Sequence, residues 1–249
     1  GSVLNDDETE MLTRSVEDGL RVKCFTTTTG VDPDFDVPIA HGTPQWCAQF
    51  APYQSLYKKI GVAMTQTCAP YVSGHIVPKG QPIAWVESSA YLFANSVFGA
   101  TANREGVTAL FSAITGRTPE FGLHLKKNRR GTNLFNVEVA LKDYVDFGVL
   151  GYVIGRDVAE LWKVPVIRNV KDATLEGLKN FCGGISSSGA SNMFHMVGIT
   201  PEAPTVKEAF GGRIPTEKVV ITQKELKETY EKLCSAKDMD TNRVDMVVF

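Results

Sequence analysis

Paired cysteines, long apolar runs and an excess of charge of one sign are all missing from this sequence. Its five cysteines are odd in number, lie far apart and include no CxxC pair: Cys24, Cys47, Cys68, Cys182 and Cys234. This pattern argues against a disulfide framework and against a structural zinc site built from paired ligands. Free thiols in a reducing compartment fit it, and an iron site with ligands far apart in sequence stays open.

No apolar run reaches the length of a membrane span, and no charged-then-apolar leader opens the chain, so a cytoplasmic location is expected. The 26 Lys and Arg residues nearly balance the 28 Asp and Glu residues, for a net charge of -2. That balance gives no general attraction to nucleic acid or to acidic lipid. We therefore expect a small molecule or another protein as the partner, and neither nucleic acid nor a membrane.

The 249 residues contain short β-branched or apolar runs that alternate with helix-like segments, for example "KVPVIRNV" then "TLEGLKNFCGG" and "KVVITQ" then "KELKETYEKLCSA". Such alternation predicts an α/β protein in which helices cover a mainly parallel sheet. Pro52 and Pro82 are expected to begin helices, while Gly61 and Gly99 are expected to end them. The Pro/Gly signals in "TGRTPEFG" predict lobes at 1–118 and 119–249, although they also fit a plain loop.

Cys68 follows the β-branched run "VAMTQT" and precedes Ala69-Pro70-Tyr71, so it is predicted at the end of a strand. A thiolate there could ligate iron or act as a nucleophile, whereas a free cysteine is more often a small buried hydrophobe. The loop "YVSGHIVPKGQP" follows and contains Ser73. Its backbone N–H groups could meet an anion, or the loop could be only a connector, and its His75 is expected to be solvated.

The next segment, "IAWVESSAYLFANSVFG", is apolar except for one polar stripe. A helical spacing of four places Glu87, Tyr91 and Asn95 on one face, with Ser88 beside them. Such a stripe is usually an internally hydrogen-bonded network. As a functional site, it would offer the Glu87 carboxylate for proton transfer or metal contact and the hydroxyls of Ser88 and Ser89.

Two further stretches could bind an anion. In "NREG", Arg104 suits bidentate recognition of a carboxylate or phosphate, or it forms a weak surface pair with Glu105. In "SSSGASNMFHMVGITPEAPT", Ser186 to Ser188 are predicted to form a hydroxyl-rich turn that could bind a phosphate or carboxylate. His195 in the same stretch is either a core histidine or a binding residue. Together these residues describe a crevice suited to the elimination of water from a carboxylated substrate.

Several of these stretches, in this order, resemble the catalytic (large) part of the aconitase X family. The resemblance is carried by "TCAPY", "IAWVESSAYLFANSVFGATANREG", "ITGRTPEFGLHL", "SSSGASNMFHMVGITPEAPT" and "DMVVF", and runs from about residue 16 to Phe249. It implies aconitase-like, Rossmann-like lobes in a chain that is shorter than the family's large part. It also implies a hydro-lyase in which an iron-sulfur cluster or mononuclear iron acts on a small hydroxylated acid, beneath a small swivelling domain or subunit.

The resemblance also implies roles for individual residues. Cys68 becomes a cluster ligand, and Glu87, Ser88 and Ser89 line the active site. Binding or network residues then follow: Ser73, Asn103, Arg104, Glu105, Ser188 and His195. The sequence departs from the family pattern at Pro82, where a histidine is expected, and at Thr101-Ala102, where Arg-Thr is expected.

Three readings of function follow from the resemblance and its departures. The first is a dehydratase of the cis-3-hydroxy-L-proline type, and the second is the large subunit of a mevalonate 5-phosphate dehydratase. The third, favoured by the departures, is a non-catalytic subunit that binds a partner domain. A cysteine-dependent hydrolase fits less well, because no histidine is placed by sequence as a partner for Cys68.

Overall fold

The computed structural model describes residues 6–29, 50–106, 108–160, 162–213, 215 and 217–234. Cys47 lies outside these residues. The chain forms two compact units, Gly1–Arg129 and Arg130–Phe249. This division falls after Arg129, whereas the sequence prediction placed the boundary between residues 118 and 119.

The regular secondary structure of the first unit is helical over its described residues, with extended and turn segments between the helices. Its helices are α1 (Asp6–Glu17), α2 (Ala51–Ile60), α3 (Ser88–Phe93), which continues as a π-helical segment (Ala94–Phe98), and α4 (Thr108–Thr115). Two short 3-10 turns follow, Gly122–His124 and Lys126–Asn128. Extended segments of this unit pair through two isolated parallel bridges, Thr27 with Ala63 and Pro82 with Thr101.

The helix ends in this unit test the proline and glycine predictions. Pro52 lies in the first turn of α2, and Gly61 and Gly99 end their helices in the left-handed conformation, with φ of 92° and 69°. These three predictions are confirmed, because only glycine enters that region without a steric cost. The prediction for Pro82 is wrong, since Pro82 lies in a β-bridge and the helix begins later, at Ser88.

Among the described residues of the first unit, buried apolar side chains form two clusters that bear on the candidate site. One joins α1 to α2 through Leu12, Ile60 and Val62. The other packs the loop residue Val77 against Ala94, which begins the π-helical segment, and Ala100, which follows it. The second cluster fixes the loop after Cys68 on the helix that carries the predicted polar stripe.

The second unit is a parallel sheet with helical crossovers. Its strands are β1 (Asn133–Val137), β2 (Pro165–Arg168), β3 (His195–Met196) and β4 (Glu217–Ile221), in the order β3-β2-β1-β4. The connecting and following helices are α5 (Tyr144–Asp157), α6 (Leu175–Ser188), α7 (Val206–Ala209) and α8 (Gln223–Cys234). The α/β prediction with a mainly parallel sheet is therefore confirmed.

Local signals explain where the two long helices begin. The Asp143 carboxylate accepts hydrogen bonds from the backbone N–H groups of Val145 and Asp146 at the start of α5. The Thr174 hydroxyl accepts one from Gly177 N–H at the start of α6. Both caps satisfy donors that the first helical turn leaves unpaired.

Helices α5 and α6 are in backbone contact through glycines. A Cβ built on Gly184 would collide with the carbonyl oxygen of Gly148 and lie 2.9 Å from Tyr152 N. A Cβ on Gly151 would collide with the carbonyl oxygen of Phe181 in the same way. The adjacent Gly183 differs, because a Cβ there would have no neighbour within 4 Å. No helix in the described part of the chain has the length and apolarity needed to cross a bilayer.

Candidate active site

Most of the predicted site residues lie in the first unit, and Cys68 begins the segment that carries them. Cys68 is exposed in a bend that follows the Thr27–Ala63 bridge. A tight turn comes next, in which the backbone N–H groups of Ser73 and His75 both donate to the Pro70 carbonyl. Ser73 is also exposed. The thiol and the hydroxyl are therefore both accessible to a ligand.

Aromatic packing attaches this turn to helix α3. The Tyr71 ring stacks on Phe93, with ring centroids 4.2 Å apart and planes only 6° from parallel. The His75 ring lies between Phe25 and Trp85, at centroid distances of 4.7 and 5.3 Å. Burial lowers the pKa of His75, because the charged imidazolium is removed from water. The expectation of a solvated His75 is therefore wrong.

Glu87 begins helix α3 rather than lying within it. Its backbone is extended, and its Oε1 accepts hydrogen bonds from Ser88 N at 3.1 Å and from Ser88 Oγ at 3.3 Å. A carboxylate at this position also interacts favourably with the helix dipole. Glu87, Ser88 and Ser89 are each half-buried, so a ligand can still reach them.

The charges of Glu87 and Arg104 both act on the pKa of Tyr91. The phenol is 2% exposed, and burial raises its pKa to about 12. The positive charge of Arg104 lowers that pKa and the negative charge of Glu87 raises it, so both charges lie close enough to act on the ring. Tyr91 therefore stays protonated at neutral pH and can donate a hydrogen bond. The sequence placed Tyr91 in the polar stripe but did not predict a catalytic role for it.

Asn95 lies in the π-helical segment, one residue after Ala94, where that segment begins. Its place on the face of Glu87 and Tyr91 stays a prediction. Asn95 is buried, and its amide accepts from Ala102 N at 2.9 Å and donates to Ala102 O at 2.8 Å. The buried Arg129 also donates to Asn95 Oδ1, at 2.9 Å. The network interpretation is correct for Asn95, and sequence reasoning missed Arg129.

The "NREG" loop contains one exposed residue, Arg104, between two buried ones, Asn103 and Glu105. The Asn103 amide accepts from Leu123 N at 2.8 Å and donates to Phe121 O at 3.1 Å. Glu105 is also buried and accepts from Thr108 Oγ1 at 2.8 Å. Arg104, between them, is exposed. The structure therefore favours the network alternative for Asn103 and Glu105, and it presents Arg104 to solvent.

His124 is a residue of this region that sequence reasoning missed. Its Nδ1 lies 3.1 Å from Thr101 Oγ1, and its Nε2 lies 3.5 Å from Glu105 Oε1. Burial lowers its pKa, and the nearby Arg129 charge acts in the same direction, while Glu105 opposes both. His124 is therefore mainly neutral at neutral pH. Its contacts are distant in sequence, so no local pattern around the Gly-Leu-His segment could have indicated them.

Ser188 and His195 belong to the second unit. Ser186 to Ser188 form the last turn of α6, and their hydroxyls donate back to the carbonyls of Gly183 and Gly184. The predicted hydroxyl-rich turn is therefore wrong, and the C-terminal end of a helix disfavours an anion. His195 is 1% exposed in β3. A substrate-binding role for either residue stays a prediction.

The described residues of the first unit carry two exposed thiols, Cys24 and Cys68, and the family resemblance singles out Cys68 as the candidate iron ligand. Among the described residues, no group of three or more His, Cys, Asp or Glu side chains is placed to hold a metal ion. An iron-sulfur cluster is held by several cysteine thiolates. The described residues therefore do not complete an iron site, and we derive no chemical step through iron.

Family comparisons define the class of protein to which these two units belong. Residues 3–127 match the first domain of aconitase X, and residues 131–231 match its second domain. The chain therefore belongs to the aconitase X family, as the sequence resemblance predicted. The boundary between the two matches coincides with the division between the two compact units.

Individual relatives have two different names. The chain is 34% identical to a phosphomevalonate dehydratase large subunit from Thermococcus kodakarensis, over 98% of this chain and 59% of that protein. It is 33% identical to a cis-3-hydroxy-L-proline dehydratase from Pseudomonas aeruginosa, over 92% of this chain and 40% of that protein. The chain thus spans three-fifths or less of the length of these curated relatives.

A solved structure from the family has the same fold. The crystal structure of Thermococcus kodakaraensis aconitase X in its holo form superposes with a TM-score of 0.80 at 34% sequence identity. The match covers 92% of this chain and 55% of that one.

Proposed function

We propose that this chain provides the first two domains of a hydro-lyase that removes water from a small hydroxylated acid. The observation that carries the proposal is that Glu87, at the start of α3, and the exposed Arg104 both act electrostatically on the buried Tyr91 phenol, within a member of the aconitase X family. A carboxylate, a protonated phenol and a guanidinium are the groups that deprotonation, hydrogen bonding and anion binding require. Relatives with both dehydratase names support the reaction class.

Each group has a defined part in the proposed reaction. Arg104 binds the carboxylate or phosphate of the substrate, and Ser88 and Ser89 orient its polar atoms. Glu87 accepts the proton from the carbon next to the hydroxyl-bearing carbon, and the C–H electron pair forms the new double bond as the C–O bond breaks. The proton that leaves carbon balances the hydroxide that departs, so the products are the alkene and water. Tyr91 stays neutral beneath the site and contributes a buried phenol on which the charges of both Glu87 and Arg104 act.

The first candidate substrate is cis-3-hydroxy-L-proline, and the alternative is mevalonate 5-phosphate. In both, the hydroxyl leaves from a position β to an activated or anionic group. Identities of 34% and 33% to relatives with the two names do not favour either. Arg104 suits a carboxylate and a phosphate equally well. An assay with both substrates is therefore part of the test.

A non-catalytic, partner-binding role is the second proposal, and one observation favours it. Pro82 and Thr101, at both of which the sequence departs from the family pattern, pair directly across a β-bridge. The Ile83 N–H donates to the Thr101 carbonyl and the Thr101 N–H donates to the Gln81 carbonyl, each at 2.9 Å. Both departures therefore alter one place in the first unit. Dehydration of either substrate by the whole protein would contradict this second proposal.

Iron and a closing partner complete the proposal. We infer that Cys68 is one iron ligand and that the others come from outside the described residues. An iron ion held by a complete set of ligands would supply Lewis-acid chemistry. The closing element is a small domain or subunit, in line with relatives that are named large subunits.

Metal analysis tests the ligand role directly. Iron and sulfide content and the absorption spectrum are measured after anaerobic reconstitution of the chain, of Cys68→Ala and of Cys234→Ala, which removes another exposed thiol. Iron that is lost only in Cys68→Ala supports the ligand role. Equal iron in all three proteins would contradict it. Separately, failure of the iron-loaded whole protein to dehydrate either substrate would overturn the proposed reaction.

A further inference from the structure

The segment 101–105 is held against the turn 121–124 by side chains on both sides of Arg104. Thr101 Oγ1 contacts His124 Nδ1 at 3.1 Å, and the Asn103 amide bonds to the backbone of that turn. Glu105 lies 3.5 Å from His124 on the other side. Arg104 is the exposed member between two buried neighbours. Its backbone is therefore fixed from behind while its side chain faces solvent.

The contact between Glu105 and His124 distinguishes this loop from an ordinary surface loop, because it buries two ionisable side chains against each other. Both side chains are 5% exposed. Among the described residues, Glu105 Oε1 and His124 Nε2 have no hydrogen-bond partner. The two atoms lie 3.5 Å apart, so the carboxylate packs against a mainly neutral imidazole at a distance longer than an ordinary hydrogen bond. Buried polar atoms without a partner are unfavourable, so the two groups are expected to be kept for a reason other than stability alone.

We propose that Glu105 and His124 are positioning residues, which hold Arg104 in the orientation that binds the anionic group of a ligand. The ligand chemistry is a carboxylate or a phosphate on a small molecule. This inference rests on the proposed anion-binding role of Arg104. The pair acts through the loop backbone, since neither side chain reaches the surface.

The test uses NMR of the Arg104 side-chain Nε–Hε group while the chain is titrated with inorganic phosphate and, separately, with acetate. Removing the negative charge in Glu105→Gln should strengthen anion binding if charge alone matters. A positioning role gives the opposite sign: loss of order around Arg104 weakens binding about threefold to tenfold. His124→Gln should weaken it similarly, and the double variant should show no further loss, because both changes break one contact.

Controls separate this inference from the proposed function. Arg104→Gln should abolish the titration, while Glu120→Gln, which removes an exposed carboxylate of the same unit, should leave it unchanged. Unchanged or tighter binding in both Glu105→Gln and His124→Gln would overturn the positioning role, as would no response of Arg104 to either anion. Failure of the whole protein to dehydrate its candidate substrates would instead overturn the proposed function and leave the comparison of variants intact. The stronger of the two anion responses identifies the class of ligand.

Discussion

Adjacent glycines of α6 should respond in opposite directions to the same substitution. Gly183 and Gly184 both lie inside the helix, so replacement by alanine improves the helix propensity at each by about 1 kcal/mol. At Gly183 the new methyl group meets nothing within 4 Å. At Gly184 it would collide with the Gly148 carbonyl oxygen and lie 2.9 Å from Tyr152 N. These are backbone atoms of α5, which move only if the helix moves.

The difference between the two variants follows from these contacts. Gly183→Ala should raise the free energy of unfolding by about 1 kcal/mol. Overpacking costs about 1–3 kcal/mol, and contact with rigid backbone places Gly184→Ala at the upper end of that range. After the gain in propensity, Gly184→Ala should lower the free energy of unfolding by about 2 kcal/mol. The two variants should therefore differ by about 3 kcal/mol, or about 10 °C in melting temperature.

Thermal unfolding followed by circular dichroism measures the difference between the variants. Because the chain has two units, hydrogen exchange of α6 should be measured alongside it, to assign the change to the second unit. A Gly184→Ala protein as stable as Gly183→Ala would refute the reasoning, because it would mean that α5 and α6 are not in backbone contact.

Three other predictions concern buried groups. Asn95→Ala should lower the free energy of unfolding by about 3 kcal/mol in urea titrations, because the buried Arg129 loses an acceptor; a loss below about 1 kcal/mol would contradict the network. The lowered pKa of His124, which faces Glu105 and Arg129, means that the unfolded chain binds more protons than the native chain below about pH 6.5. The free energy of unfolding should therefore fall between pH 7 and pH 5, and His124→Gln should flatten that dependence; an equal slope would exclude His124 as the cause. Burial raises the pKa of Cys182, so a thiol reagent should modify Cys68 in the native chain but Cys182 only after unfolding, and mass mapping that finds native Cys182 modified would contradict its burial.

The second unit could be predicted from sequence because its signals are local. Each strand is a short apolar run, and each long helix begins at a side chain, Asp143 or Thr174, that caps its first turn. The parallel arrangement follows from the alternation of strand and helix. The turn predicted at Ser186 to Ser188 failed because serine favours turns in isolation, whereas here the hydroxyls bond to carbonyls of their own helix.

The first unit could be predicted only in part, because its contacts join distant residues. Motif resemblance led to Glu87 and Arg104, and both charges act on the pKa of the buried Tyr91 phenol. The α-helical period placed Asn95 in the polar stripe, and the structure shows it in a π-helical segment, bonded to the backbone of Ala102. Thr101 and His124 are 23 residues apart in sequence, so no short-range sequence pattern could predict their contact.

The position of β1 in the sheet has a consequence for how the second unit is made. β1 pairs with β2, but it also pairs with β4, so that Asn133 lies beside Glu217. During synthesis on the ribosome, the backbone groups along one edge of β1 stay unpaired until β4 has been synthesised. During that interval the edge presents unpaired backbone donors and acceptors to any other strand. The nascent chain is therefore most exposed to misassociation before residue 221 emerges, and conditions that slow translation between β1 and β4 should lower the yield of soluble protein.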